Sequence, residues 1–384
     1  MELVFGIIIG ILALTFLVVV HELGHGIVAK RNGVNVEEFG VGFPPLAWGK
    51  KIKQSILGKN VLFSVNWLPL GGFVKLQGEY DASTKKGDYG ASSFWVKTKI
   101  LLAGVFINWL TAAIILTILA VTGLPQAIPD QFTVEGDTKV VNQPVQLSGI
   151  SADYPAQKAG LKVRDKIVRF AGQEVKTSED FINLTRKYAG QTVEVIYSRG
   201  NVESSVNVTL RKSGNVVFGA GLVQPSQTQS TWSAPIVGVG VAGQLSWETL
   251  KGIGQLIGNL ATGAVSQFSS DANVRKAGGA EVTAAGDNVA GPIGILGVIF
   301  PAASSAGLTE LMMLIAVISI ALAVMNVLPI PALDGGRWFT MTVFRIARKK
   351  LTKEREEKIQ TAGFMVLMAL VLVVTIADVG KFFK

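Results

Sequence analysis

The sequence predicts a polytopic α-helical membrane protein of about four transmembrane helices, with an inserted membrane-associated β-hairpin and a small α+β extracytoplasmic domain. Three observations carry that fold class. Four apolar runs are each long enough to cross a hydrocarbon core of about 30 Å at roughly 1.5 Å per helical residue. Lys and Arg gather between the first two runs and after the third. Between the second and third runs lie short segments with the alternation of β-strands. Composition agrees: 49% of the 384 residues are hydrophobic and 16% charged, with a mean hydropathy of +0.43. That is too apolar for an ordinary soluble protein and not apolar enough for one lying wholly in lipid.

Hydropathy places the spans at Leu3 to about Ala29, Ile100 to Leu124, Leu311 to Leu333, and Thr361 to Val379. Met1-Glu2-Leu3 offers no basic n-region and no small-x-small site follows the first run, so it reads as a span rather than a secretory signal. The Lys/Arg asymmetry puts the N-terminus outside, residues 31–98 inside, 125–306 outside, 338–360 inside and the C-terminus outside. A net charge of +9 does not imply a nucleic-acid partner. The excess lies beside apolar segments, in Lys50-Lys51-Ile52-Lys53 and from Arg345 to Lys358, without the interleaved aromatics that stack on bases. With no Cys there are no disulfides and no thiolate metal ligands.

The first span contains His21-Glu22-Leu23-Gly24-His25, and these are the two histidines of the chain. The i, i+4 spacing sets both imidazoles on one helix face, where they can reach one Zn²⁺ with Glu22 placed to act on water beside it. In an exposed helix the pattern arises by chance. In hydrocarbon an ionisable group costs several kcal/mol, roughly 2.5–3.5 on insertion scales, which favours metal chemistry over decoration. The third span ends in Asn326-Val327-Leu328-Pro329-Ile330-Pro331-Ala332-Leu333-Asp334-Gly335-Gly336. Two prolines forbid regular helix there, leaving Asp334 on a bent segment at the depth expected for the histidines. Two readings stay open: a carboxylate capping the break, or the third zinc ligand that two imidazoles leave wanting.

Val61 to Leu76 reads as strand, turn and strand, either a surface hairpin or one whose free edge pairs with an extended substrate. Asn108 is a polar residue in the second span, serving either a neighbouring helix or the site. Strands at Val193–Tyr197 and Val206–Leu210 around a helix from Ser178 to Tyr188 outline the soluble domain. Residues 213–232 read as linker, 235–266 as a membrane-surface helix with Trp247, and 268–290 as flexible loop, Ser269 to Pro292 being a candidate mobile element. The resulting division is 1–124 for the N-terminal membrane core, 125–212 for the soluble domain, 213–306 for linker, surface helix and loop, and 307–384 for the C-terminal membrane core.

In its motifs, their order and their spacing, the chain resembles the site-2 proteases, which are intramembrane zinc metalloproteases, and among them the bacterial regulator-of-sigma-E type. The likeness rests on HELGH from His21, on Phe39-Gly40-Val41-Gly42-Phe43-Pro44, on Leu68 to Glu79 and on Asn326 to Gly336, so it spans nearly the whole length. It implies a Zn²⁺ endopeptidase with His21, His25 and Asp334 on the metal and Glu22 as catalytic base. Asn326 would hold the substrate backbone and Asn108 would support the Asp334 loop or the bound peptide, with Pro329, Gly71 and Gly72 as further substrate-binding candidates. The implied substrate is a single-pass transmembrane protein, such as an anti-sigma factor or a signal-peptide remnant, already trimmed outside by another protease. The implied place is the lipid of the inner membrane, with the active site toward the cytoplasm. The soluble domain resembles one PDZ domain rather than a tandem pair, with its carboxylate-loop region from Tyr154 to Asp165, and the likeness implies a size filter. Arg164 stands where the PDZ pattern has Gly, and Val105 where the second-span motif has Pro. The alternative is a non-catalytic scaffold or zinc carrier, which would have no need of Glu22.

Overall fold

The structure, a computed structural model, describes residues 2–200, 202–212, 216–287 and 290–382. The chain forms two compact units, Met1–Leu119 with Pro235–Lys384, and Ala120–Ala234.

The first unit opens with α1 (Glu2–Arg31), which buries a stripe of Gly6, Gly10, Ala13, Leu17, His21 and Gly24 at helical spacing. Leu3, Phe5, Ile8, Leu12 and Phe16 face outward. Small residues inside and large apolar ones outside is the arrangement of a helix packed in lipid, where close backbone approach replaces hydrophobic burial. Next come β1 (Val36–Ser55) and β2 (Gly58–Leu76), an antiparallel pair. The turn expected inside 61–76 lies instead at Ile56-Leu57, and all of 61–76 belongs to β2. Gly58 (φ 129°) and Asn60 (φ 57°) supply the left-handed backbone beside that turn, whereas Pro69 and Gly71 only bend β2. The bends bring both halves of β2 against β1: Phe39, Gly40 and Val41 pair with Val74, Phe73 and Gly72 on one side and with Phe63, Ser64 and Val65 on the other. The chain then enters α2 (Phe94–Thr122), which starts before the expected Ile100 and stops at Gly123 (φ 132°) rather than at Leu124.

In the second unit β3 (Leu124–Pro125), β4 (Lys139–Asn142), β5 (Gln146–Ile150), α3 (Pro155–Lys158), β6 (Lys166–Phe170), β7 (Gln173–Glu174), α4 (Ser178–Lys187), β8 (Thr192–Arg199), β9 (Val202–Thr209), β10 (Ala220–Val223) and β11 (Ser226–Gln229) follow in order. One sheet runs β10-β5-β6-β8-β9 with β7 beside β6, and a second runs β3-β11-β4. The core packs Phe181 edge-on to Phe170 and Phe218, at ring centroid distances of 5.1 and 5.0 Å. Helix α4 starts in a capping box between Thr177 and Asp180. The expected linker at 213–232 contains β10 and β11; Ser226-Gln227-Thr228-Gln229 shows no apolar alternation and is a strand because β3 and β4 pair with it, while residues 213–215 lie outside those described. Arg164 has φ 73°, a conformation that suits the Gly of the PDZ pattern. The neighbouring Asp165, 1% exposed, accepts from Arg199 Nε and Nη2 at 2.7 Å each.

The first unit resumes with α5 (Ala234–Ser266) and α6 (Ala272–Asp287). The expected loop at 268–290 is therefore largely helix, with 288–289 outside the described residues. Tertiary contact overrides its Gly/Ala composition: Glu281 accepts from Thr262 Oγ1 at 3.0 Å and Gln267 donates to the Arg275 carbonyl at 3.1 Å. A broken apolar helix follows, α7 (Pro292–Gly294), a π-turn at Ile295–Ile299 and α8 (Phe300–Ala306), set against α1 at Gly6 and Gly10. Then come α9 (Leu308–Val327), α10 (Asp334–Ile346) and α11 (Lys353–Phe382). The third span thus ends at Val327 and not at Leu333, because Pro329 and Pro331 cannot continue it. Among the described residues four helices are long and apolar enough to cross a membrane: α1, α2, α9 and α11 up to Gly380. Asp378, buried at 3% exposure inside the last, accepts from the Gly294 N–H at 2.8 Å and so caps the broken helix.

Candidate metal centre

Two turns of α1 carry His21 and His25, and the break after α9 delivers Asp334 as the first residue of α10. Gly335 and Gly336 permit this: a Cβ on Gly336 would stand 1.9 Å from the Ile330 carbonyl oxygen, so the chain can fold back only without one. The three side chains converge. His21 Nε2 lies 3.1 Å from Asp334 Oδ2 and 3.1 Å from His25 Nε2, and His25 Nε2 lies 3.2 Å from Asp334 Oδ2. The rings meet edge-on at 85° with their nitrogens turned toward one point.

This donor triangle fits zinc. Tetrahedral Zn²⁺ with bonds of about 2.0–2.2 Å sets its ligand atoms about 3.3 Å apart, close to the spacing found. Space beside the donors is kept open by Gly104 of α2, where a Cβ would come within 2.5 Å of His25 Nε2 and 2.7 Å of His21 Nε2. The three residues form the cluster that can hold a metal ion among those described.

Helix α2 also braces the imidazoles from behind. His25 Nδ1 donates to the Ile100 carbonyl at 2.7 Å, and His21 Nδ1 faces the Asn108 amide at 3.3 Å. Glu22 emerges beside the triangle, and its Oε2 accepts from the Val74 N–H of β2 at 3.0 Å. Glu22, His25, Val74, Asp334 and Arg337 line one cavity of about 120 Å³. A larger one of about 480 Å³ shares Glu79, Asp334 and Arg337 with it and continues to Gln360, a polar approach to the site. Arg337 is fixed by Glu356 at 3.1 Å, by the Glu79 carbonyl and by the Tyr89 ring, 4.7 Å from its centroid. Burial pushes the Tyr89 hydroxyl well above its usual range, so that wall stays neutral.

The other expected residues are placed as follows. Asn108 meets His21 rather than the Asp334 loop. Asn326 turns back on α9 and donates to the Leu322 carbonyl at 3.0 Å. Pro329 is exposed in the break. Gly72 pairs with Val41 and abuts Val18 and Glu22, and Gly71 (φ 83°) sits against the Phe43 ring. Sequence reasoning missed Ile100, Gly104, Val74 and Arg337. A signal existed for two of them: Ile100, Gly104 and Asn108 repeat the i, i+4 spacing of the histidines.

The family model described as peptidase family M50 matches residues 9–370. The chain belongs to peptidase family M50. A Clostridium perfringens protein named "Putative zinc metalloprotease CPE1693" is 32% identical over 373 residues, covering 97% of this chain and 98% of its own. The zinc metalloprotease RasP of Geobacillus kaustophilus is 26% identical over 451 residues, covering 96% of each. The PDZ domain of an SdrC-like protein from Listeria monocytogenes is similar over 24% of this chain and 94% of its own, at 24% identity and a TM-score of 0.19. This M50 peptidase is a multi-pass membrane protein of the site-2 protease family, a zinc metalloprotease acting on membrane-embedded proteins. A non-catalytic scaffold is set aside by that membership.

Proposed function

We propose that His21, His25 and Asp334 hold the zinc of this M50 peptidase, that Glu22 is its general base, and that it cuts transmembrane segments of single-pass proteins. One observation carries the reading: Glu22, His25 and Asp334 line one cavity, with His21 Nε2 3.1 Å from both His25 Nε2 and Asp334 Oδ2, and Glu22 and both histidines lie on a helix apolar enough to cross a membrane. When bound, zinc lowers the pKa of water toward about 7 and polarises the scissile carbonyl. Glu22 takes the proton of the attacking water and passes it to the amine nitrogen as the C–N bond breaks, leaving a carboxylate and an amine. The Val74 N–H holds one Glu22 oxygen and leaves the other for the water.

A peptide bond inside a helix is shielded, so the substrate must unwind in a medium that penalises bare N–H and C=O groups. The stretch of β2 from Gly71 and Gly72 onward runs beside Glu22, and it is the strand along which an extended segment would pair. Asn326, released from Leu322, and Pro329 in the break would border the substrate opposite it. Purified full-length protein should therefore cut a single-pass substrate within its apolar segment, lose this on chelation and regain it with zinc. Cleavage indifferent to chelation would reject the assignment.

The finer placement belongs to the same proposal. The active site faces the cytoplasm of the inner membrane, and one PDZ-like domain outside filters substrates already trimmed by another protease, an anti-sigma factor or a signal-peptide remnant among them. Its support is the Lys/Arg asymmetry of the loops. A reporter fused after residue 200 should read extracytoplasmic, and a cytoplasmic signal would invert the orientation.

A further inference from the structure

Asn108 is 1% exposed, and its side chain has one polar neighbour, His21 Nδ1, at 3.3 Å from Nδ2, while Oδ1 has no hydrogen-bond partner. The neighbour's chemistry decides which end belongs there. An imidazole that gives Nε2 to a cation in neutral form carries its proton on Nδ1, so it presents a donor, and an amide N–H aimed at it sets donor against donor. Amide oxygen and nitrogen exchange by a half-turn of the side chain without moving another atom, and the assignment follows the network. The far oxygen of the amide has no partner that would hold it where it stands, so His21 is the neighbour that decides between the two settings. At His25 the corresponding position already holds an acceptor, the Ile100 carbonyl at 2.7 Å from Nδ1.

We infer that Asn108 is a positioning residue for the metal, its Oδ1 accepting from His21 Nδ1–H, so that α2 orients both imidazoles through two acceptors set eight residues apart, at Ile100 and Asn108. This rests on the assignment of His21 as a ligand and deepens it. The backbone of Asn108 is itself held, its carbonyl accepting from Ser319 Oγ of α9 at 2.8 Å, so the amide is presented from a fixed point.

Asn, Asp and Leu are close in size and differ in what they offer Nδ1. The full-length protein in detergent, unaltered and with Asn108→Asp or Asn108→Leu, is titrated with Co²⁺ and with Zn²⁺ against a chromophoric chelator. Asn108→Leu should lose about 10–100-fold in affinity for both ions, the usual cost of removing an outer partner of a ligating histidine. Asn108→Asp, an acceptor only, should bind at least as tightly as the unaltered chain. Equal binding by the Leu variant, or an Asp variant as weak as Leu, overturns the inference while leaving the donor triangle intact. Failure of the unaltered chain to take up either ion overturns the triangle as well. Should the Leu variant misfold, ¹⁵N-histidine labelling of the zinc-loaded unaltered protein decides, since the chain holds two histidines. Both rings should show a protonated Nδ1 and a metal-shifted Nε2, and a metal-shifted Nδ1 on His21 refutes the arrangement.

Discussion

Glu22→Gln leaves zinc binding at the level of the unaltered protein and lowers cleavage of a single-pass substrate by about 10²–10⁴-fold, the usual contribution of a positioned acid–base group. Glutamine keeps the length of the side chain and an oxygen able to accept from the Val74 N–H, the bond that fixes Glu22 at 3.0 Å. What it loses is the capacity to take a proton. Neither Glu22 oxygen belongs to the triangle of His21, His25 and Asp334, so metal content is the internal control. Parallel measurement of zinc stoichiometry and turnover checks the expectation. Full cleavage by the Gln variant would mean that another group is the base, and loss of zinc would mean that Glu22 helps hold the metal.

Gly104→Ala lowers metal affinity and activity together. The added methyl would stand 2.5 Å from His25 Nε2 and 2.7 Å from His21 Nε2 and Cε1, distances that carbon does not tolerate, and both rings are already pinned through Nδ1. Since Ala favours a helix interior over Gly by about 1 kcal/mol, the substitution should not weaken α2 as a helix. Elution as an intact, helical protein with metal affinity reduced by about 10–100-fold is the expected result, the order that displaced ligand support brings. Normal zinc content in this variant would show that the rings yield, and that the opening beside Gly104 has no role.

The spans and the paired histidines were legible because each is written in a local pattern. Uncharged length announces α1, α2, α9 and α11, and the pair His21 and His25 shows its shared face through spacing alone. Helix ends were less legible. Hydropathy carried the third span through Leu328 to Leu333, although Pro329 and Pro331 exclude it from α9, since apolar content says nothing of backbone donors. The hairpin turn was misplaced for the opposite reason: Pro69 and Gly71 are prominent but lie within a bent β2, whereas the true turn at Ile56-Leu57 carries its signal on the flanking Gly58 and Asn60. Helix α6 and strand β11 depend on partners distant in sequence, which no window can see. Ile100 illustrates the limit best. It acts through its carbonyl oxygen, a group that every residue has, and only the approach of α2 to α1 gives it a task.

That approach sets a condition on the whole centre. Ile100, Gly104 and Asn108 form a single rack along α2, meshed with His21 and His25 on α1, and the Gly24 side of the crossing is as tight, a Cβ there meeting the Ala103 oxygen at 2.8 Å. Sliding one helix by a single turn of about 5.4 Å would misalign both rings at the same instant. On the proposed assignment, a pair of helices out of register would leave neither ring with its α2 partner, and metal uptake would report whether the two have met in the correct register.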